Sequence, residues 1–214
     1  MNKISLVLAS YQANINMLHQ ALECSDLFDE VLLHVNDVVT MSQVQIPKNC
    51  KVIYVEERCS VQEALNCVIS QATSSYILLW TDDDFFHREA LVNLIDYVKY
   101  CEGDIDVIRY PIYVGYNNNW KIWVNQQNIT LESLSEANTI PFSCVYHKTV
   151  WERVGGYKDG PFSDWYFWLK VLKKNFKFDY WQYPIYCHRQ GHKETLANKE
   201  QQIFNKEEFL KKLQ

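Results

Sequence analysis

The stretch that most constrains the fold is a buried strand running straight into three carboxylates. Residues 76–80 are five consecutive apolar or aromatic residues, which is typical of a strand inside a parallel sheet. Asp82, Asp83 and Asp84 follow without a break. Adjacent anions resist burial unless a positive group shares the space, and hard divalent cations prefer carboxylate oxygens. Because open α/β folds bind ligands at the carboxyl ends of strands, we favour a metal or phosphate-linked site over an acidic turn that caps the next helix, which explains only one Asp.

Strands and helices alternate through the first half of the chain. Besides 76–80, three apolar runs predict strands: 4–9, 31–35 and 51–55. Two segments with a helical apolar stripe follow strands: 15–24 and 61–72. Ser60 and Glu63 have the spacing of a capping box at the start of the second helix. We therefore expect an α/β fold whose central sheet is mostly parallel or mixed, with helices on both faces.

The second half is more varied. Helices are predicted at 87–101, 149–154, from Ser163 onward and 200–213, and strands at 106–114, 142–147, 178–181 and 184–187. Ser163 is the expected N-cap of its helix, which puts Asp164 in the first turn. The Asn- and Trp-rich segment 115–128 fits either a flap that faces a substrate or a surface hairpin.

Composition narrows the function classes. The net charge of -5 shows no basic surface for nucleic acid. The 7 cysteines are an odd number without a C-x-x-C pair, which favours reduced thiols and a cytoplasmic location. No apolar run approaches the roughly 20 residues that span a bilayer, so we expect no transmembrane segment. Neither a G-x-G-x-x-G nor a G-x-x-x-x-G-K-[ST] motif occurs, which argues against a dinucleotide fold and a P-loop.

The order of these motifs resembles a known family. The segments that carry the resemblance are 4–9, Asn36-Asp37, 76–84, the Val-Gly-Gly-Tyr run 154–157 and the aromatic helix start 162–169. Together they resemble the inverting nucleotide-sugar glycosyltransferases of family 2, which have the GT-A fold. The resemblance implies one GT-A domain over 1–214, with a nucleotide-sugar-binding half at about 1–100 and an acceptor-binding half at about 101–214. It also implies Mn²⁺ or Mg²⁺ at the donor diphosphate.

The resemblance assigns roles on the donor side. It implies a nucleotide cradle from five residues at the first strand ends: Ala9, Ser10, Tyr11, Asp37 and Arg58. Aligned on the apolar pair that follows it, the family's Asp-x-Asp motif falls on residues 81–83, with Thr in place of the first Asp. Asp82 then lies near the ribose and Asp83 binds the metal. Asp84 is either a further metal ligand or a supporting or helix-capping residue. His192, with His188 as second choice, is the implied late histidine near the metal.

Asp164 is the implied catalytic base, and the alternative is a residue that only favours the helix dipole. The predicted function is metal-dependent, inverting transfer of a sugar from a nucleotide-diphosphate sugar, with a UDP-sugar favoured, to a hydroxyl of an acceptor such as a glycan. A non-catalytic nucleotide-sugar-binding module remains an alternative. A sugar-1-phosphate nucleotidyltransferase is disfavoured because residues 9–16 lack the Gly-rich phosphate loop it would need.

Overall fold

The computed structural model describes residues 1–101, 105–117, 119–125 and 127–190. These residues form eleven strands: β1 Ile4–Ser10, β2 Glu30–Val35, β3 Cys50–Tyr54, β4 Tyr76–Trp80, β5 Phe85–Phe86, β6 Val107–Arg109, β7 Ile112–Tyr116, β8 Asn119–Trp123, β9 Val145–His147, β10 Phe178–Tyr180 and β11 Tyr186–Arg189. The α-helices among them are α1 Ile15–Leu22, α2 Val38–Gln43, α3 Val61–Gln71, α4 Arg88–Tyr100, α5 Leu131–Glu136, α6 Lys148–Val154 and α7 Ser163–Lys173. The predicted helix 200–213 lies outside the described residues.

The central sheet has seven strands in the order β10-β6-β9-β4-β1-β2-β3. The pairs β1/β2, β2/β3, β1/β4 and β6/β10 are parallel, and β9 runs antiparallel to both of its neighbours. The chain moves outward from β1 to β3, and α3 then returns it to β4 on the other side of β1. The gap between the carboxyl ends of β1 and β4 is therefore a topological switch point, where open α/β sheets bind ligands.

Helices cover both faces of this sheet, as predicted. Alternate residues of β1 point to opposite faces: Leu6 packs in the core that contains α1 and α4 residues, and Val7 packs in the core that contains α3 and α7 residues. The capping box between Ser60 and Glu63 is present at the start of α3.

The second sheet was not predicted. It has four strands in the order β5-β11-β7-β8. The expected long strand 106–114 is wrong, because the chain leaves the central sheet after Arg109 and joins the second sheet at Ile112. Pro111 lies at this break, where a missing backbone N–H cannot continue a ladder. The segment after Gly115 is the turn and second strand of the antiparallel β7–β8 hairpin.

Two further local expectations change. The N-cap of α7 is Phe162, in the left-handed region at φ 54°, and it makes no side-chain capping bond, so Ser163 is the first helical residue rather than the cap. The cap of α4 is His87, whose Nδ1 accepts from the Ala90 amide at 3.4 Å, rather than an Asp of the triplet. Within the part of the chain that the structure describes, no helix combines the length and hydropathy needed to cross a membrane.

Candidate active site

A hydrogen bond joins the ends of β1 and β4 at the switch point. Ser10, the last residue of β1, is buried, and its Oγ donates to Asp82 Oδ2 at 2.8 Å. Asp82 follows β4 by two residues. The bond brings a predicted ribose-side carboxylate onto the edge that carries Ala9 and Tyr11. The rule that parallel strand ends meet at one edge thus places these residues together.

Asp37 ties the segment after β1 to the end of β2. Its Oδ1 accepts from the Thr40 amide at 2.7 Å and caps α2, and its Oδ2 accepts from the Gln12 amide at 2.8 Å. Burial alone would raise the pKa of Asp37, but these backbone N–H groups outweigh it and the pKa is lowered. Arg58 lies over the Tyr11 ring, with its guanidinium carbon 4.9 Å from the ring centroid. Residues 10–12 thus contact Asp82, Arg58 and Asp37 in turn, and their role in binding a nucleotide stays a prediction.

The three carboxylates have different surroundings. Asp84 is only 1% exposed; its Oδ1 accepts from the Arg189 amide at 2.8 Å and its Oδ2 from His188 Nδ1 at 2.9 Å. Asp82 and Asp83 are half-buried. The Trp80 and Phe86 rings stack with centroids 3.5 Å apart and bracket the loop between them. Asp84 is thus turned into the protein by β11, while Asp83 stays at the surface of the loop.

His188 and Arg189 of β11 are the positive partners of this loop. Burial would lower the pKa of His188, but the hydrogen bond and charge of Asp84 and the charge of Asp83 raise it overall. The buried Arg189 guanidinium contacts the Asp83 carbonyl and the Gln20 side chain, and lies 4.6 Å from the Phe85 ring. No role is predicted for Arg189 from the sequence, although a His-Arg pair directly follows the predicted strand 184–187.

Few side chains of the described residues near the acidic loop are available to bind a metal. Among residues 1–190 outside the gaps, no group of three or more His, Cys, Asp or Glu is arranged to hold one. Asp84 is already engaged by β11, and His192 lies outside the described residues. Asp83 and the Nε2 of His188 remain as candidates, because the Nδ1 of that ring bonds to Asp84 and a carboxylate partner of this kind orients a ligating histidine.

A cavity of about 780 Å³ begins at the acidic loop. Thr81, Asp84 and the β11 end with His188 line one part of it, and β7, β8 and the segment 138–143 line the other part. Apolar side chains contribute much of the wall: Ile112, Val114, Ile122, Trp123, Ile140, Pro141, Phe142 and Tyr186. The structure thus has a surface hairpin here, as one alternative predicted, and β8 also lines the cavity; a flap that faces a substrate stays a prediction.

Asp164 is linked to this cavity by a hydrogen bond to Asn138. Asn138 lines the cavity and its Nδ2 donates to Asp164 Oδ2 at 2.9 Å. Asp164 is half-buried in the first turn of α7, a helix fixed by the buried Trp165 and Trp168. Trp165 Nε1 also donates to the Leu134 carbonyl of α5 at 2.6 Å.

The chain matches the model of a known protein family. The model of the family described as Glycosyl transferase family 2 matches residues 36–154, which is more than half of the chain. Comparison with curated protein sequences gives no match. The matched segment contains Asp37, the acidic loop and α6.

Several solved structures have a similar fold. Staphylococcus aureus TarS 1-349 in complex with UDP-GlcNAc matches with a TM-score of 0.68 at 16% identity, over 90% of this chain and 60% of that one. The same protein in complex with UDP matches with a TM-score of 0.66 at 16% identity, over 97% of this chain and 70% of that one. The mannosyltransferase PcManGT from Pyrobaculum calidifontis, in complex with GDP-Man and Mn²⁺, matches with a TM-score of 0.61 at 13% identity, over 92% and 59%.

At these identities the likeness is one of fold, and it confirms the predicted α/β architecture. The chain spans about three fifths of the length of two of these solved chains, TarS 1-349 with UDP-GlcNAc and the mannosyltransferase.

Proposed function

The chain belongs to glycosyl transferase family 2, with the GT-A fold, and from this membership we propose that it transfers a sugar from a nucleotide-diphosphate sugar to an acceptor hydroxyl with inversion. One observation carries the proposal. A single cavity is lined by the acidic loop with His188 on one side and by Asn138, the partner of Asp164, on another. The cavity therefore connects the acidic loop with the hydrogen-bond partner of the proposed base.

The nucleotide binds at the switch point in this proposal. Residues 10–12 and Asp37 present backbone and side-chain groups on one edge, and the exposed Tyr11 ring with Arg58 offers a flat cationic surface for a base or phosphate. Asp82 is held toward β1 by Ser10, next to where a ribose would lie. We favour a UDP-sugar because the TarS structures contain UDP or UDP-GlcNAc. Residues 1–100 then form the nucleotide half and the later residues most of the acceptor half.

The available side chains fit Mn²⁺ or Mg²⁺ held jointly with the donor diphosphate. Mg²⁺-type sites commonly use one or two carboxylates together with substrate phosphates; Asp83 would supply the carboxylate, and the Nε2 of His188 would supply a further ligand. A bound metal stabilises the charge on a departing diphosphate. Asp84 then orients His188 rather than binding the ion, because both of its oxygens already accept hydrogen bonds.

Asp164 acts as the general base. The acceptor oxygen forms a bond to the anomeric carbon, the bond from that carbon to the diphosphate oxygen breaks, and the acceptor proton passes to the Asp164 carboxylate. Attack opposite the leaving group inverts the anomeric centre.

Calorimetry and turnover test this proposal together. UDP-GlcNAc, UDP-glucose and GDP-mannose are titrated with Mn²⁺ and then with excess EDTA, and nucleoside diphosphate release is followed with water and with oligosaccharide acceptors. We expect at least one donor to bind with Mn²⁺ and more weakly with EDTA. Equal affinity in both conditions contradicts the bridging metal, and Mn²⁺-dependent binding without any turnover supports the non-catalytic alternative.

A further inference from the structure

Asn138 is fixed at both ends of its side-chain amide. Its Oδ1 accepts from the Ile140 amide at 3.2 Å, and its Nδ2 donates to Asp164 Oδ2 at 2.9 Å. The first bond assigns the oxygen end of the amide, so the nitrogen end must face the carboxylate. The same side chain lines the cavity.

The surrounding segment holds this arrangement in place. Thr130 and Ser133 form a reciprocal cap at the start of α5, and the Trp165 indole bonds α5 to α7 through the Leu134 carbonyl. The bond from the Ile140 amide to Asn138 is the local turn that Asn side chains commonly form two residues ahead. The turn therefore begins on one anchored helix and presents Asn138 to the first residues of another.

We propose that Asn138 is a positioning residue, which holds the Asp164 carboxylate in the orientation that receives the acceptor proton. The inference rests on the proposed function, since it assigns a partner to the proposed base. A neutral amide N–H donor stabilises the ionised carboxylate without itself taking the proton. Displacement reactions depend steeply on such geometry, and a misplacement of about 1 Å can cost roughly 100-fold in rate.

Two substitutions separate positioning from turn formation. Asn138→Asp keeps an oxygen for the Ile140 amide but removes the N–H donor and adds a like charge beside Asp164. Asn138→Ala removes both bonds. The matched control is Ser135→Ala in α5, whose hydroxyl bonds to the Leu131 carbonyl within the same helix.

The readout is nucleoside diphosphate release from UDP-GlcNAc, UDP-glucose or GDP-mannose with Mn²⁺ and water as acceptor, using the donor that the wild type cleaves fastest. We expect kcat to fall about 10- to 100-fold in both Asn138 variants, with the KM for the donor within about twofold. Ser135→Ala should match the wild type. A purely structural Asn138 predicts instead that Asn138→Asp keeps wild-type kcat, or that KM and melting temperature change together with kcat.

A double-mutant cycle locates the effect. If Asn138 acts through Asp164, adding Asn138→Ala to Asp164→Asn should lower kcat by less than about twofold further. Full additivity of the two losses overturns the positioning role while leaving the proposed base intact. Wild-type turnover of Asp164→Asn refutes the proposed base and the positioning role with it, whereas no turnover of any donor by the wild type refutes the proposed function itself.

Discussion

Asp83 and Asp84 are neighbours in the sequence, but we expect their substitution to affect different properties, metal binding for Asp83 and fold stability for Asp84. Asp84→Asn should destabilise the fold, and Asp83→Asn should leave stability nearly unchanged while weakening Mn²⁺ binding in the presence of UDP. The reason is burial: Asp84 is 1% exposed and bonds to Arg189 and His188, whereas Asp83 is half-buried at the loop surface.

The size of the Asp84 effect follows from its two hydrogen bonds. An Asn oxygen can still accept from the Arg189 amide, and a neutral His188 can accept from the Asn amide. What is lost is the difference between charge-assisted bonds of about 1.5–3 kcal/mol and neutral bonds of about 0.5–1.5 kcal/mol. The difference is about 1–1.5 kcal/mol for each bond, so over the two bonds we expect a loss of about 2–3 kcal/mol, or roughly 4–12 °C in Tm for a chain of this size. Asp83→Asn should stay within about 0.5 kcal/mol.

The pH dependence gives an independent check with a defined sign. The pKa of His188 is raised in the fold by Asp84 despite burial. A raised pKa contributes stability that is fully present below the unfolded value of about 6.5 and is lost as the pH rises through the folded value. The stability gap between wild type and Asp84→Asn should therefore be widest near pH 6 and narrow toward pH 9.

Urea unfolding from pH 5.5 to 9 with EDTA present measures this gap on the protein alone, and Mn²⁺ titration with UDP measures the binding side. An Asp84→Asn variant that unfolds at the wild-type urea concentration at pH 6, or a gap that widens with pH, would refute the assigned hydrogen bonds. A larger loss of Mn²⁺ affinity at Asp84 than at Asp83 would move the metal-binding position by one residue.

Three further predictions test other parts of the molecule. Asp164→Asn should lower kcat about 100-fold or more, with donor affinity by calorimetry and Tm nearly unchanged, and wild-type turnover would rule out the base. Asp37→Ala should cost about 0.5–2 kcal/mol in urea unfolding at pH 7; because the pKa of Asp37 is lowered in the fold, this difference should close as the pH falls below about 3.9. Gly156→Ala should destabilise more than Gly155→Ala, since both have positive φ but only the Gly156 Cβ would meet Asn66 Oδ1, at 2.7 Å, and equal Tm losses would contradict this packing.

The central sheet was predictable because its signals are local. Each apolar run of β1, β2, β3 and β4 spans only a few consecutive residues, and the two residues of the Ser60–Glu63 cap are three positions apart. The rule that ligands bind at the carboxyl ends of strands then placed Ser10, Asp37 and the acidic loop at one edge of the sheet. In the structure Ser10 bonds to Asp82, and Asp37 bonds to the Gln12 amide. The small second sheet was not predicted because β5 and β11 are short and about 100 residues apart, and because Pro111 interrupts an apolar run that by itself predicts one strand.

The contacts that shape the site were not readable from the sequence. Asn138 is 26 residues from Asp164, and Arg189 is 106 residues from Asp83. Neither pair belongs to a short motif, and an Asn before Thr or an Arg after His has many ordinary uses. Spacing indicates which residues end strands, but the partner across the cavity depends on how the second sheet and α5 pack.

The two sides of the cavity rest on different parts of the fold, and this separation has a functional consequence. The acidic loop is fixed by the central sheet through Ser10 and by β11 through His188 and Arg189. Asp164 and Asn138 are fixed by α7 and α5. The cavity wall from the hairpin is attached to β11 through β7, and its outer strand β8 contributes the exposed residues Lys121 and Ile122. In the proposed function, substitutions at these two exposed positions can therefore alter which acceptor fits while the proposed donor contacts and base stay in place, so acceptor choice is the property we expect to be easiest to change.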